Sequence, residues 1–155
     1  MGADVVTSLF SANKGSEPRE IGKVASGGEL SRLMLAIKSL ISQATLLPTI
    51  IFDEIDTGVS GDIAVQVGAI LKSMAERMQV IAITHLPQIA ATAAAQLKVY
   101  KVSGEQSVAS GQRTESHIRL LADDERIHEI AVMLSSDPPT PAAQQTAREL
   151  MGRTD

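Results

Sequence analysis

The chain has no cysteine and no tryptophan, and it holds one tyrosine and two phenylalanines in 155 residues. Without cysteine it forms neither disulfides nor thiolate metal centres, a composition that suits a reducing compartment. Aromatic residues are 2% of the chain and hydrophobic residues 44%, so the core must be filled by Leu, Ile, Val, Ala and Met. Long apolar runs are lacking as well. The longest fall well short of the roughly 20 residues that cross a bilayer, and no charged start leads into an extended apolar segment at the N-terminus. The expectation is a soluble, non-secreted protein with no membrane partner. Excess positive charge is also missing. The net charge of -4 argues against a whole-surface nucleic-acid binder, which needs clustered Lys and Arg, and leaves room only for a local basic patch.

What is present fits one domain over residues 1–155, long enough to bury a sizeable core. Asp4 to Asn13, with its β-branched residues, predicts a strand. A charged, Gly/Pro-punctuated loop follows. From Glu29 to about Ala44, Leu30, Leu33, Met34, Ile37, Leu40 and Ile41 recur at three and four, the spacing of an amphipathic helix. The run LLPTIIFDE predicts a buried strand of parallel type closed by two acids, and DTGVSG a turn. Asp62 to about Met78 carries Ile63, Val67, Ile70, Leu71 and Met74 on one face, a second helix. Gln79 to Thr84 predicts another buried strand, Leu86 to about Ala95 a short helix with Pro87 early in it, and LKVYKV a third strand before a flexible loop, GEQSVASGQ. Asp123 to about Leu134 predicts a helix with an acidic start, SSDPPTP a hinge or linker, and Pro141 to about Met151 a last helix. Strands alternate with helices through the middle, so the fold class expected is α/β with mainly parallel strands flanked by helices.

Three places carry candidate chemistry. Asp53 and Glu54 stand at the carboxyl end of a strand, the edge where open α/β sheets bind ligands. One carboxylate there can orient Mg²⁺ near phosphates, and a second can accept a proton from an attacking water. Strand ends are often polar, so the pair alone decides little. His85 follows the next strand and should reach the same edge, which makes a set of three. VASGGELSR sets Ser26, Gly27 and Gly28 directly before a helix. Adjacent glycines let backbone N–H groups approach an anion, and the helix terminus adds positive potential. A glycine-rich cap without a ligand is the bland alternative.

In this order, ASGGELSRLMLAIK, FDEIDTGVSG and THLPQIAA resemble the C-terminal part of an ABC-type ATPase head of the structural-maintenance-of-chromosomes kind. More narrowly they resemble the RecN family of bacterial DNA repair proteins. The resemblance is strongest from Val24 to Ala91 and looser after Leu97. It implies the C-terminal lobe of a P-loop NTPase fold. It implies that Ser26, Gly27, Gly28 and Glu29 form the signature loop that meets the γ-phosphate of ATP held by a second head. It implies that Asp53 is the Walker B aspartate at Mg²⁺, through water, that Glu54 polarises the attacking water, and that His85 is the switch histidine. Ile55 to Gly61 would be the loop that crosses the interface between heads. Related heads usually end that loop in aspartate, where this chain has Ser60, and RecN-like sequences share the form. The alanine-rich stretch after the histidine departs from the pattern, and no role is carried onto it.

One half of an ATPase site is missing. No G-x-x-x-x-G-K-[ST] loop occurs. The nearest pair, Gly22-Lys23, is followed by Val24, and Glu17 stands where the first glycine belongs. GVSGD likewise fails as a nucleophile elbow, because Asp62 replaces the final glycine. In the family that phosphate loop lies in an N-terminal lobe beyond a long coiled coil, and no heptad run occurs here. The resemblance therefore implies a C-terminal fragment, inactive alone, of a bacterial cytoplasmic, nucleoid-associated protein of double-strand-break repair and recombination. Its implied partners are the N-terminal Walker A lobe, a second copy of the head, and DNA through the full-length protein. Its implied cofactors are ATP and Mg²⁺. Two other classes stay open: a non-catalytic interaction module of the same fold, and a hydrolase placing Asp53, Glu54, Asp56 and His85 directly on a divalent ion.

Overall fold

The computed structural model describes residues 5–11, 15, 17–21, 27–44, 47–103 and 114–153. They form two compact units, Met1–Leu86 and Pro87–Asp155. In the first unit, β1 (Leu9–Phe10) pairs antiparallel with β2 (Arg19–Glu20). The longer strand expected from Asp4 shrinks to these two residues, and Val5 and Val6 stand exposed beside them. Helix α1 (Gly27–Ala44) begins two residues before the periodicity predicts and takes both glycines into its first turn.

A parallel pair follows. β3 (Thr49–Phe52) lies beside β4 (Gln79–Ala82) in the register Thr49↔Gln79 to Phe52↔Ala82, and the Ile83 N–H extends the ladder to the Phe52 carbonyl at 2.9 Å. Parallel strands need a crossover, and α2 (Gly61–Ala75) supplies it. Its inward stripe is Ala64, Val67, Gly68, Leu71 and Met74. That is one step round from the predicted face, leaving Ile63 exposed. Phe52, Ile55, Val59 and Met78 are also buried. The strands themselves are less buried than their sequences predict: Ile51, Ile81 and Ile83 are exposed. So is most of the α1 stripe, with Leu40 at 66% exposure and Leu30, Met34, Ile37 and Ile41 all open, whereas Leu35 is buried. Amphipathic periodicity identifies an apolar face. It does not say that the residues covering that face belong to the same segment of chain.

The second unit holds α3 (Pro87–Ala90), a single turn where a longer helix is expected, and a hairpin of β5 (Leu97–Ser103) with β6 (Thr114–Leu120), paired antiparallel from Leu97↔Leu120 to Ser103↔Thr114. Strand β6 is not legible in TESHIRL, where polar residues outnumber apolar ones and every residue is exposed. The loop GEQSVASGQ lies outside the described residues. Helices α4 (Asp123–Leu134) and α5 (Pro141–Leu150) match their predicted spans to within a residue. The Glu125 carboxylate closes the start of α4 by accepting from the Ala122 N–H at 2.8 Å. That bond and the Arg119 guanidinium hold the Glu125 carboxyl below its usual range. Thr140 caps α5 by accepting from the Ala143 N–H, with Pro141 at the first helical position.

SSDPPTP is therefore the turn between two packed helices, not a linker. Their shared core is Ile130, Ala131, Ala143 and Ala147 with Ala91, flanked by Ile127, Leu134, Leu150 and Met151. Small residues on α5 let it approach α4 closely, and Ile130 fills the seam with no exposed surface. Buried Arg126 donates to the carbonyls of Ala93 and Ala94 and to Gln96 Oε1. The alanine-rich stretch is thus held by its backbone oxygens, which no side-chain pattern reveals.

Ile130→Ala should destabilise the chain by about 2–5 kcal/mol, because the helix backbones cannot close the cavity left behind. Denaturant unfolding measures it, and a loss below about 1 kcal/mol would mean the seam repacks.

Candidate functional site

The site is built by a switch in side-chain direction after β3. Phe52 is buried, Asp53 and Glu54 are exposed, and Ile55 and Asp56 are buried again. Turning Ile55 and Asp56 inward leaves both preceding acids at the surface. The reversal is abrupt enough to put Glu54 at φ 51, in the left-handed region that non-glycine residues rarely occupy. The Glu54 carbonyl accepts from the Thr57 N–H at 3.2 Å and from its hydroxyl at 3.1 Å, which closes the turn.

Asp53 and Glu54 line a concavity of about 250 Å³ with Ser31, Met34, Leu35 and Lys38 of α1. Lys38 Nζ lies 5.1 Å from the centroid of the Phe52 ring, a cation–π contact that sets a positive charge beside the two acids. His85 does not line this concavity. It stands at the carboxyl end of β4, as expected, but its contacts run to Asp56. The Asp56 carboxylate is 3% exposed. Its Oδ2 accepts from the Thr84 hydroxyl at 2.6 Å and the His85 backbone N–H at 2.7 Å, and the His85 ring Nδ1 lies 3.0 Å from it. The Thr84 hydroxyl in turn accepts from the Leu86 N–H at 3.0 Å. Burial pushes the Asp56 carboxyl up. The hydrogen bonds from Thr84, the His85 N–H and its own backbone, with the nearby imidazole, outweigh burial and hold it below its ordinary 3.8.

Ser26 lies outside the described residues. Gly27, Gly28 and Glu29 form the first turn of α1. Gly28 packs against the loop after β3: a Cβ on it would meet the Gly58 carbonyl oxygen at 3.1 Å. Gly58 has φ +69, and a Cβ there would lie 3.0 Å from Gly28 Cα. Arg32 Nη1 reaches the Gly58 carbonyl at 3.5 Å. The first turn of α1 and the loop after the acids are thus in backbone contact, and a side chain on either glycine would crowd the other. Sequence reasoning assigned no role to Lys38 or Thr84, and took Gly58 only as part of the Ile55 to Gly61 loop. It weighed Asp56 individually as a metal ligand and otherwise as part of that loop, whereas its contacts are with Thr84 and His85. Among the described residues no three His, Asp or Glu side chains form a set that could hold a metal ion. A hydrolase built on a direct multi-carboxylate metal centre therefore lacks its ligand set there.

Two outcomes follow from this geometry. Gly58→Ala should cost about 1–3 kcal/mol in denaturant unfolding, from the left-handed backbone and the crowding against Gly28. A neutral Gly58→Ala would show that the two backbones separate freely. The Asp56 carboxyl contributes stability that is fully present above pH 3.8 and is lost as pH falls through its depressed folded value. Melting temperatures from about pH 6 to about pH 3 should show this loss, and Asp56→Asn should lack that part of the acid response. An identical acid response in the variant would assign it to other carboxyls.

No family model matches the chain. Individual proteins do. It is 47% identical over 142 residues to the DNA repair protein RecN of Deinococcus radiodurans, covering 92% of this chain and 24% of that protein. It is 39% identical over 150 residues to RecN of Haemophilus influenzae (97% and 26%), and 40% identical over 154 residues to RecN of Bacillus subtilis (99% and 26%). A solved structure from work on ATP-driven dimerisation and DNA-stimulated activation of SMC ATPases superposes with a TM-score of 0.56 at 20% identity, over 79% of this chain and 69% of that one. That likeness is one of fold, the P-loop NTPase fold of an SMC head. No helix among the described residues is long and apolar enough to cross a membrane. The chain spans about a quarter of the length of the curated relatives it matches, and over almost its whole length it is similar to that part of the RecN proteins.

Proposed function

We propose that the chain is the C-terminal lobe of an ABC-type ATPase head, and that the whole protein acts in DNA double-strand-break repair and recombination through ATP-controlled engagement of two heads. One observation carries the reading. The parallel register brings the acids after β3 and the histidine after β4 to one sheet edge, and the first turn of α1 is in backbone contact with the loop between acids and crossover. That edge is where α/β folds bind phosphates.

The residues fit the implied cofactors. Mg²⁺ is commonly held by one or two carboxylates, with water and phosphate oxygens completing its shell. The exposed Asp53 beside an open concavity meets that need without a closed protein cage. Mg²⁺, when bound, would neutralise phosphate charge. Glu54 would accept a proton from the attacking water, and His85 would face the γ-phosphate. Ser26, Gly27, Gly28 and Glu29 would present N–H groups and a hydroxyl to ATP carried by a second copy. An N-terminal lobe of the same protein would bring the Walker A loop.

The exposed apolar faces support that partner. Parallel sheets are ordinarily covered on both faces, yet Ile51, Ile81 and Ile83 of the parallel pair and the α1 stripe are open. A lobe from the remaining three-quarters of the protein would cover them. A bare interaction module explains these faces equally well, but it needs no left-handed glutamate at the sheet edge.

In the full-length protein, Glu54→Gln should lower kcat for ATP hydrolysis by at least about 100-fold while sparing ATP binding. Unchanged turnover would remove Glu54 from the role of base. The chain alone should bind ATP weakly or not at all in calorimetry, since the main phosphate cradle is elsewhere, and tight binding would contradict the two-lobe reading. Ser26→Arg should block ATP-dependent dimerisation without unfolding the chain, and normal dimerisation in that variant would count against the contact in trans.

A further inference from the structure

We infer that Asp56 is the positioning residue of His85, setting which ring nitrogen faces the nucleotide site. This rests on the ATPase reading of His85 given above. The imidazole is 78% exposed, and its ionic partner among the described residues is the carboxylate of Asp56, itself 3% exposed. An exposed histidine has no packing to hold its ring, so a buried fixed acceptor decides the orientation. Nδ1 stands 3.0 Å from Asp56 Oδ2. A lone pair on Nδ1 would repel a carboxylate oxygen at that distance, so the contact favours the ring form with the proton on Nδ1. In the neutral ring the lone pair then sits on Nε2, on the side away from Asp56, and in the charged ring Nε2 becomes a donor.

Asp56 is able to do this because it is itself fixed. Its Oδ2 also takes the Thr84 hydroxyl and the His85 N–H, and Thr84 is tied to the Leu86 N–H. The carboxylate therefore holds both the backbone and the ring of His85. It lies two residues from Glu54, in the turn whose carbonyls of Glu54 and Asp56 accept from Thr57 and Val59. A shift in the acid turn is thus a shift in the histidine, and the two groups that would face the γ-phosphate move as one body. Partners that orient a metal-ligating histidine through its second nitrogen commonly change metal affinity or activity 10- to 100-fold on removal, and a loss of that order is expected here.

The test uses the full-length protein with ring-¹⁵N-labelled histidine, the His85 signal being assigned by its loss in His85→Gln. At a pH where the ring is neutral, the proton should sit on Nδ1, and Asp56→Ala should release it toward the usual Nε2–H form. A wild-type ring already in the Nε2–H form overturns the inference, and this readout does not depend on an Asp56 variant folding. Kinetics give the second readout. Asp56→Ala should lower kcat at least tenfold with KM for ATP within about threefold, and should change kcat less than about threefold when His85 is already alanine. An equal loss in both backgrounds would make Asp56 a support of the loop only and overturn the positioning role. If His85→Ala alone leaves kcat unchanged, the ATPase reading of His85 is what fails, and the ring spectrum still decides whether Asp56 sets the proton.

Discussion

A single buried oxygen, Asp56 Oδ2, joins the two ends of the parallel pair. β3 and β4 share only four residues of ladder, and beyond it the chain diverges into two turns. Left to the ladder alone these turns would fray, since strand ends hold few backbone bonds. Oδ2 takes a hydroxyl and a backbone N–H from the second turn while the Asp56 carbonyl accepts from Val59 in the first. Buried carboxylates are costly unless satisfied, and here satisfaction is complete enough to depress the carboxyl below its ordinary range despite burial. Asp53, Glu54 and His85 are surface residues held in place from beneath.

The second constraint is the open apolar surface. A parallel pair with exposed isoleucines on its strands and an adjacent helix with Leu40 two-thirds exposed is not a finished hydrophobic unit. The hairpin shows the same feature by itself: Leu97, Val99, Ile118 and Leu120 share one face by register and are all exposed. Patches of this kind on soluble proteins mark surfaces that meet another segment. That the chain spans about a quarter of its relatives' length makes the rest of such a protein the natural cover for them, within the reading proposed above.

Much of this was legible from residues alone. The helices α2, α4 and α5 follow from periodicity and from Pro141 and the acidic start at Asp123. The placing of Asp53, Glu54 and His85 at one edge follows from two apolar strands that each end in a polar residue. What was not legible depends on contacts between distant positions. Asp56 reads as one more acid in an acidic turn until Thr84 and His85 close on it, 28 and 29 residues away. Gly58 reads as turn punctuation until Gly28 packs against it. β6 has no apolar alternation to announce it, because its pairing with β5 rests on backbone bonds and its side chains stay in solvent. The α1 stripe was read as the apolar face of an amphipathic helix; that most of it stands exposed was not legible, since periodicity reports a face and not its partner.

The glycine pair acquires a different meaning from this. In the sequence Gly27 and Gly28 stand directly before a helix, as an anion-approaching loop or a glycine-rich cap; in the structure they are the helix's own first turn. A side chain at Gly28 would push the Gly58 carbonyl away. With it would move the loop that runs on from Glu54, itself held at a left-handed φ of the kind that costs about 1–3 kcal/mol. A strained glutamate persists only where its surroundings over-determine it. Here Asp56 fixes the turn from below, and the Gly28–Gly58 contact fixes the loop that continues it. Small residues in this place serve close approach more than freedom of the backbone. They bring the amino end of a helix against the loop that follows two carboxylates, so that movement at either is felt at the other.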